Sequence, residues 1–220
     1  MNLVRRAIVC GSCGQSSEQI QTNSGGESGA PDLDTRPNGL VRSTIAFWMQ
    51  RCPHCGYCAG DISSIHEQAA DLIASEAYQK QLNDARFPAK ACEFLAHALI
   101  LDQVGQYADA GWTCLHAAWV CDDNGGNGQA AARGRAMEYW RKAKLAGEDF
   151  AEPELEHALA TDLLRRMGRF EDALINCNQA LDAEEPLPDL IEHLLRFEKT
   201  LIQRQDTGTY RLSDLPAFQS

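Results

Sequence analysis

Residues 163–183 read LLRRMGRFEDALINCNQALDA, and this stretch decides the fold class of the chain. A helix-forming segment ends at Gly168, an aromatic side chain follows at Phe170, and the next segment carries small residues at Ala173 and Ala180. Glycine permits a tight turn, and these two alanines lie on one face of a helix, where they allow close packing. The stretch therefore predicts a helical hairpin.

The same pattern occurs earlier in the chain, because residues 94–121 align with residues 157–184 without a gap. Each copy predicts a helix, a glycine turn, an aromatic residue and a second helix that carries small residues. The matched pairs are Leu101 and Leu164, Gly105 and Gly168, Tyr107 and Phe170, Asp109 and Asp172, Ala110 and Ala173, Cys114 and Cys177, and Ala117 and Ala180.

This repeat resembles the tetratricopeptide repeat (TPR), whose helical hairpins stack into a solenoid. The copy at residues 163–183 follows that pattern well, and Pro186 lies near the expected closing proline. The earlier copy departs from it at Gly111, which falls inside the second helix, and a glycine-rich interruption at 124–128 breaks the regular period. We therefore predict a TPR-like domain.

Helical periodicity continues on both sides of the two copies, between breaks at glycine and proline. Asp61 can cap the first helix, and Ser64 with Glu67 fits a capping box. The composition predicts a helical domain over residues 61–206 and an irregular tail over 207–220. We expect helices near residues 61–83, 89–104, 106–122, 128–146, 152–167, 169–183 and 187–204.

Residues 1–60 differ in composition and predict a separate module of short strands and loops. They hold paired cysteines, a Gly/Ser-rich stretch at 24–29 and turn signals at three prolines. Residues 42–50, with the sequence RSTIAFWMQ, predict a strand that leads into the second cysteine pair. The Gly/Ser-rich stretch predicts a mobile loop inside the module.

Two C-x-x-C-G motifs dominate this module, CGSCG from Cys10 and CPHCG from Cys52. Two residues between the cysteines let both sulfurs of a turn face one ion, and two such turns give a tetrahedral four-sulfur set. That set suits Zn²⁺ or a single iron. We predict one Zn²⁺ bound by Cys10, Cys13, Cys52 and Cys55, with free thiols in loops as the alternative. The predicted fold is therefore mainly α, with a small N-terminal β/loop zinc ribbon followed by TPR-like antiparallel helical hairpins.

Iron is the second choice of metal, because rubredoxins also pair CxxCG with CPxCG. The long insert between the two motifs disfavours the compact rubredoxin core. Cys58 extends the second motif towards a ferredoxin-like run, but Ile62 stands where a fourth cysteine is needed. We expect Cys58 to be a buried or spare thiol, with a role as metal ligand or redox partner as the alternative.

The N-terminal module, residues 1–60, resembles an uncharacterised prokaryotic family that pairs a CxxCG…CPxCG zinc ribbon with TPR-like helices. The matching stretches are residues 10–14, the segment PDLDTRP at 31–37, and CPHCGY at 52–57. Gly11 stands where the family often has a proline. The resemblance implies a zinc-bound domain and supplies no activity.

One further candidate site is the segment that holds Asp32, Asp34 and Arg36. Two carboxylates beside a guanidinium could bind a ligand or supply a catalytic carboxylate. The simpler interpretation is that Arg36 pairs with Asp34 and ties the insert to the ribbon or to the helices.

A second candidate is the helix face that carries Trp112, His116 and Trp119. Concave faces of TPR-type domains use such residues to hold peptides. The simpler interpretation is that these tryptophans seal the ribbon or the next helix onto the core.

Charge and composition exclude some classes of function. The formal charge is −11, and the module at 1–60 holds five Arg against four acidic side chains, so the excess acid lies in the helical part. Neither part has the basic patch that nucleic-acid binding requires. No apolar run reaches the roughly 20 residues that span a bilayer, and no signal peptide follows Arg5 and Arg6. We expect a cytoplasmic protein that binds neither nucleic acid nor membrane.

The sequence contains no catalytic triad motif and no P-loop. The repeats and the acidic surface instead favour a zinc-binding adaptor for a protein or peptide. The alternative is a rubredoxin-like or thiol-based redox protein. A third hypothesis is an enzyme that uses the segment around Asp34.

Overall fold

The computed structural model describes residues 2–23, 29–65, 69–125 and 127–218. The chain divides into two compact units. The first comprises Met1–Gly26 and Leu40–Glu148, and the second comprises Glu27–Gly39 and Asp149–Ser220. The predicted limits at residues 60 and 206 rest on composition alone and stay a prediction.

The N-terminal part of the first unit contains two antiparallel hairpins. Strands β1 (Asn2–Val9) and β2 (Ser16–Asn23) pair along their full length, with Val9 opposite Ser16 at the turn. Strands β3 (Gln50–Arg51) and β4 (Cys58–Ala59) form the second, shorter hairpin. Each hairpin turn contains one C-x-x-C-G motif, so the short strands present the cysteines. The Gly/Ser-rich stretch predicted as a mobile loop lies, for residues 24–28, outside the described residues.

The strand predicted over residues 42–50 is wrong. The segment begins with the last residue of a short helix, α1 (Gly39–Arg42), and contains a 3₁₀ turn (Ile45–Phe47). Within it, only Gln50 belongs to a strand. Thr44 explains the difference, because its hydroxyl donates to the Val41 carbonyl at 2.7 Å and accepts from the indole of Trp48 at 2.9 Å. Such local side-chain bonds compete with strand pairing.

Within the described ranges, the rest of the first unit forms five helices: α2 (Ala69–Ala74), α3 (Glu76–Leu82), α4 (Ala89–Gln103), α5 (Tyr107–Asp123) and α6 (Gln129–Leu145). The helix predicted over 61–83 is divided. Ser75 interrupts it, and its hydroxyl caps α3 by accepting the Tyr78 N–H. Asp61 caps a turn at Ser63 instead of a helix, and the capping box at Ser64 extends beyond the described residues.

The second unit contains α7 (Pro153–Arg166), α8 (Phe170–Leu181) and α9 (Asp189–Gln203). The segment around Asp32 belongs to this unit, where Leu33 N–H donates to the Tyr210 carbonyl at 2.9 Å. The tail after α9 contains two short 3₁₀ turns and a buried Leu215.

The mainly α fold with helical hairpins and small N-terminal strands is confirmed. The turns of the two repeat copies contain the same hydrogen bond. Gln106 N–H donates to the Leu101 carbonyl in the first copy, and Arg169 N–H donates to the Leu164 carbonyl in the second, both at 2.9 Å. The matched Cys114 and Cys177 are both fully buried. Among the described residues, no helix combines the length and apolar character that crossing a membrane requires.

The departure from the TPR pattern at Gly111 has a packing cause. A Cβ atom at this position would lie 2.2 Å from the Trp140 ring of α6, which is closer than side chains approach one another. The glycine therefore allows α6 to pack against α5 through a buried tryptophan, which is 2% exposed.

Candidate metal centre

The four cysteines of the two C-x-x-C-G motifs converge on one point. The Sγ atoms of Cys10 and Cys55 are 3.8 Å apart, those of Cys13 and Cys52 are 3.7 Å apart, and all four lie within 4.8 Å of one another. A tetrahedron with Zn–S bonds of about 2.3 Å has sulfurs about 3.8 Å apart. The cluster can therefore hold a metal ion.

The first turn is closed by its own backbone. Cys10 N–H donates to the Gln15 carbonyl at 2.9 Å, and Gly14 N–H donates back to the Cys10 carbonyl at 2.8 Å. Gly14 has a φ of +70°, a left-handed conformation that L side chains rarely adopt. The glycine after the second cysteine is thus required by the turn.

The second turn repeats the same arrangement. Cys52 N–H donates to the Tyr57 carbonyl at 2.8 Å, Gly56 N–H donates to the Cys52 carbonyl at 3.0 Å, and Gly56 has a φ of +80°. The two motifs therefore form equivalent turns, and each brings two sulfurs to the shared centre.

The thiols of the cluster differ in their surroundings. Burial would raise the pKa of Cys52, but the backbone N–H groups of Cys55 and His54 stabilise its thiolate and lower the pKa to about 7. Burial raises the pKa of Cys10, and it raises that of Cys55 to about 12. Backbone N–H donors at a thiolate are what a metal-binding turn of this kind supplies.

Hydrogen bonds hold the two hairpins and the following loop together. The Gln19 side chain on β2 donates to the Arg51 carbonyl on β3 at 3.0 Å. Gly11 N–H donates to the Ile62 carbonyl at 2.7 Å, and the Tyr57 hydroxyl donates to the Ser64 carbonyl at 2.8 Å. These bonds orient the cysteine-bearing turns towards each other.

Cys58 lies behind the second turn and outside the four-sulfur cluster. It is fully buried, and burial raises its pKa to about 12. Its N–H donates to the Tyr78 hydroxyl at 3.0 Å, and its carbonyl lies 3.0 Å from His97 Nδ1. The residue thus joins the ribbon to α3 and α4. These surroundings favour a structural thiol, and the redox role stays a prediction.

Asp32, Asp34 and Arg36 are brought together, but in a buried ion-pair network. Arg36 donates to Asp32 Oδ2 from both Nε and Nη2, at 2.7 Å each, and Arg166 of α7 donates to Asp34 at 2.7 Å. All three predicted site residues are at most 3% exposed. The guanidinium of Arg36 thus pairs with Asp32, where Asp34 was the predicted partner, and Asp34 ties the segment to α7 of the same unit through Arg166.

Trp119 and His116 form an aromatic cluster inside the first unit. Their ring centroids are 4.7 Å apart, and Trp48 of the ribbon lies 5.2 Å from His116 and 6.5 Å from Trp119. Burial lowers the pKa of His116 to about 4, so the imidazole is neutral at pH 7. Through these ring contacts, Trp48 packs the ribbon onto α5.

Trp112 lies on the same helix and contacts Trp140 of α6, with ring centroids 5.3 Å apart. It therefore packs against the next helix. A role in partner binding for Trp112, His116 and Trp119 stays a prediction.

Comparisons with models of known protein families, with curated proteins and with solved structures found no match. The family resemblance drawn from the cysteine motifs stays a prediction.

The second unit also contains a buried charge cluster that was not predicted from the sequence. Arg165 donates to Asp162 at 2.7 Å and also to Glu198, and all three side chains are at most 2% exposed. A signal was present, because Glu198 falls at helical spacing between Leu194, Leu195, Leu201 and Ile202, on the buried face of α9.

Proposed function

We propose that the four-cysteine cluster binds one structural zinc ion. The observation that carries this proposal is the convergence of four sulfurs, with the Cys10–Cys55 and Cys13–Cys52 separations that a tetrahedral thiolate site requires. The ion would complete a small module that has few large buried side chains of its own. Structural zinc sites of this type contribute directly to folding.

The test of this proposal is the metal content of protein purified without added metal. We expect one zinc per chain and no visible absorption. The test variant is Cys55→Ala, which removes one ligand and should lose the ion. Wild-type protein that folds fully without any metal would contradict the proposal.

We further propose that the metal-stabilised protein is an adaptor that binds a protein or peptide, in the cytoplasm. The helical hairpins support this proposal, because TPR-like hairpins in general serve as binding surfaces. The acidic excess in the helical part favours partners with basic residues. The buried ion pairs of Asp32, Asp34 and Arg36 disfavour an enzyme built on that segment.

The adaptor proposal is tested with a peptide array that compares basic peptides with charge-neutral versions of the same sequences. We expect saturable binding of some basic peptides, confirmed by calorimetry with the zinc-loaded protein. Binding should weaken at high salt, because screening reduces attraction between exposed charges. An array without saturable binders, together with affinity capture that yields no direct partner, would contradict the proposal.

The second candidate function is electron transfer by a single iron, since four thiolates also suit iron. Thiolate-to-iron absorption bands that bleach on reduction would establish it. A colourless protein with one zinc would exclude it.

A further inference from the structure

A cavity of about 360 Å³ lies in the first unit between α3, α4, α5 and α6. This volume falls in the range of about 300–1,000 Å³ that small-molecule sites occupy. Leu99 and Ala77 supply accessible apolar surface in the cavity, above the buried Leu95 and Cys114. This surface suits the hydrocarbon part of a ligand.

The rim of the cavity is positive, although the chain as a whole is negative. Four basic residues line it, Lys80, Arg86, Arg135 and Lys142, against two acidic residues, Asp84 and Glu138. A local positive excess in a chain of formal charge −11 indicates that this position favours an anion.

Two of the four basic side chains already have acidic partners. Arg86 pairs with Asp84 at 2.6 Å, and Lys142 pairs with Asp102 at 2.7 Å. Lys80 and Arg135 have no acidic partner within ion-pair distance among the residues that the structure describes. Arg135 lies over the Phe87 ring, with its guanidinium carbon 5.4 Å from the ring centroid. The charges of Arg135 and Lys80 are thus not neutralised by a paired carboxylate, and the exposed Glu138 opposes them.

Gln81 holds one of the basic side chains of the cavity in place. The Gln81 amide is 7% exposed, and its Oε1 accepts a hydrogen bond from Arg135. Its Nε2 is buried and has no hydrogen-bond partner within the described part of the chain. The bond to Gln81 Oε1 holds the Arg135 guanidinium at the cavity, where none of the described residues is an acidic partner for it.

We infer that this cavity binds a small organic acid, with a carboxylate attached to an apolar body. The carboxylate would accept hydrogen bonds from Arg135 and Lys80, since guanidinium and carboxylate form strong charge-assisted bonds. The apolar body would lie on Leu99 and Ala77. The site is separate from the four-cysteine cluster and goes beyond the adaptor function.

The test is calorimetric titration of the metal-loaded protein with phenylacetate and hexanoate. The uncharged amides of the two acids, which keep the apolar body, serve as control ligands. We expect saturable one-to-one binding of at least one acid and at least about tenfold weaker binding of its amide, because the amide lacks the charge. Equal binding of acid and amide would overturn the inference, and so would no saturable binding of either acid. Binding of short peptides with a free C-terminal carboxylate, but of neither small acid, would also overturn it.

Variants locate the site. Arg135→Gln should weaken acid binding about tenfold, and Lys80→Gln, which changes an exposed side chain, should weaken it in the same direction without affecting folding. The matched control is Arg141→Gln, which removes an exposed arginine from the same helix outside the cavity. Unchanged affinity in both Arg135→Gln and Lys80→Gln, or an equal loss in Arg141→Gln, would overturn the assignment to this cavity.

Discussion

The Sγ atoms of Cys10 and Cys55 lie 3.8 Å apart although the two cysteines are far apart in the sequence. Cys13 and Cys52 approach one another in the same way from the other side of the cluster. The two hairpin turns are thus held face to face, and an ion between them would cross-link both hairpins of the ribbon.

Loss of one cysteine should therefore remove the ion. Cys55→Ala leaves three sulfurs, and we expect less than one-tenth of the wild-type metal content by mass spectrometry of the purified protein. Cys177→Ala, which changes a buried cysteine of the second unit, should retain a full equivalent. A Cys55→Ala protein that keeps one tightly bound ion would show that these sulfurs are not the ligands.

The two turn glycines should differ in their tolerance of a side chain. Gly14→Ala meets no atom within 4 Å, so its cost is that of the left-handed conformation, about 1–2 kcal/mol. Gly56→Ala bears the same cost and also places its Cβ 2.9 Å from Leu82 Cδ2. We expect a larger loss of unfolding free energy for Gly56→Ala in urea denaturation of the metal-loaded protein. An equal or smaller loss would contradict the packing of the second turn on α3.

Two effects of Gly111→Ala on the stability of the fold have opposite signs. Helix propensity alone predicts a gain of about 1 kcal/mol, because alanine favours helices over glycine. The contact with Trp140 predicts a loss of about 1–3 kcal/mol, because the new methyl group overlaps the indole ring. Thermal unfolding decides between the two signs, and Trp140→Leu should reduce the loss caused by Gly111→Ala. A gain in stability would contradict the observed packing of α6 on α5.

Much of the fold could be predicted because its signals are local. Glycine and proline breaks predicted the ends of α4 through α9 closely, and the C-x-x-C-G spacing predicted the four sulfurs. The prediction of a strand over 42–50 failed because it was made from apolar composition, which does not reveal the local hydrogen bonds that Thr44 makes. The cavity residues Lys80 and Arg135 lie on α3 and α6, far apart in the sequence, so no local motif could reveal them.

The buried carboxyl of Glu198 should make stability depend on pH. Burial and the neighbouring Asp162 raise the pKa of Glu198 well above its ordinary value of 4.5, despite the opposing effect of Arg165. A raised folded-state pKa means that the folded chain binds a proton that the unfolded chain releases. This contribution to stability is full below pH 4.5 and is lost as the pH rises through the folded-state pKa.

Glu198→Gln should abolish that dependence, because glutamine resembles the protonated carboxyl. We expect the difference in unfolding free energy between wild type and Glu198→Gln to move in favour of the variant as the pH rises above 4.5, in urea titrations. Glu198→Ala should cost about 3–5 kcal/mol, because it leaves the buried Arg165 short of a partner. Glu192→Gln, on the more exposed side of α9, is the control. If the difference in unfolding free energy between wild type and Glu198→Gln does not change with pH, Glu198 does not titrate as proposed.

We expect the four cysteines of the two equivalent turns to hold one zinc ion. Metal content and the visible spectrum of the wild-type protein, purified without added metal, test this expectation. We expect one zinc per chain, no absorption in the visible range, and loss of the ion in Cys55→Ala. A metal-free protein whose ribbon hairpins are folded would contradict it, as would one iron per chain with thiolate absorption bands that bleach on reduction.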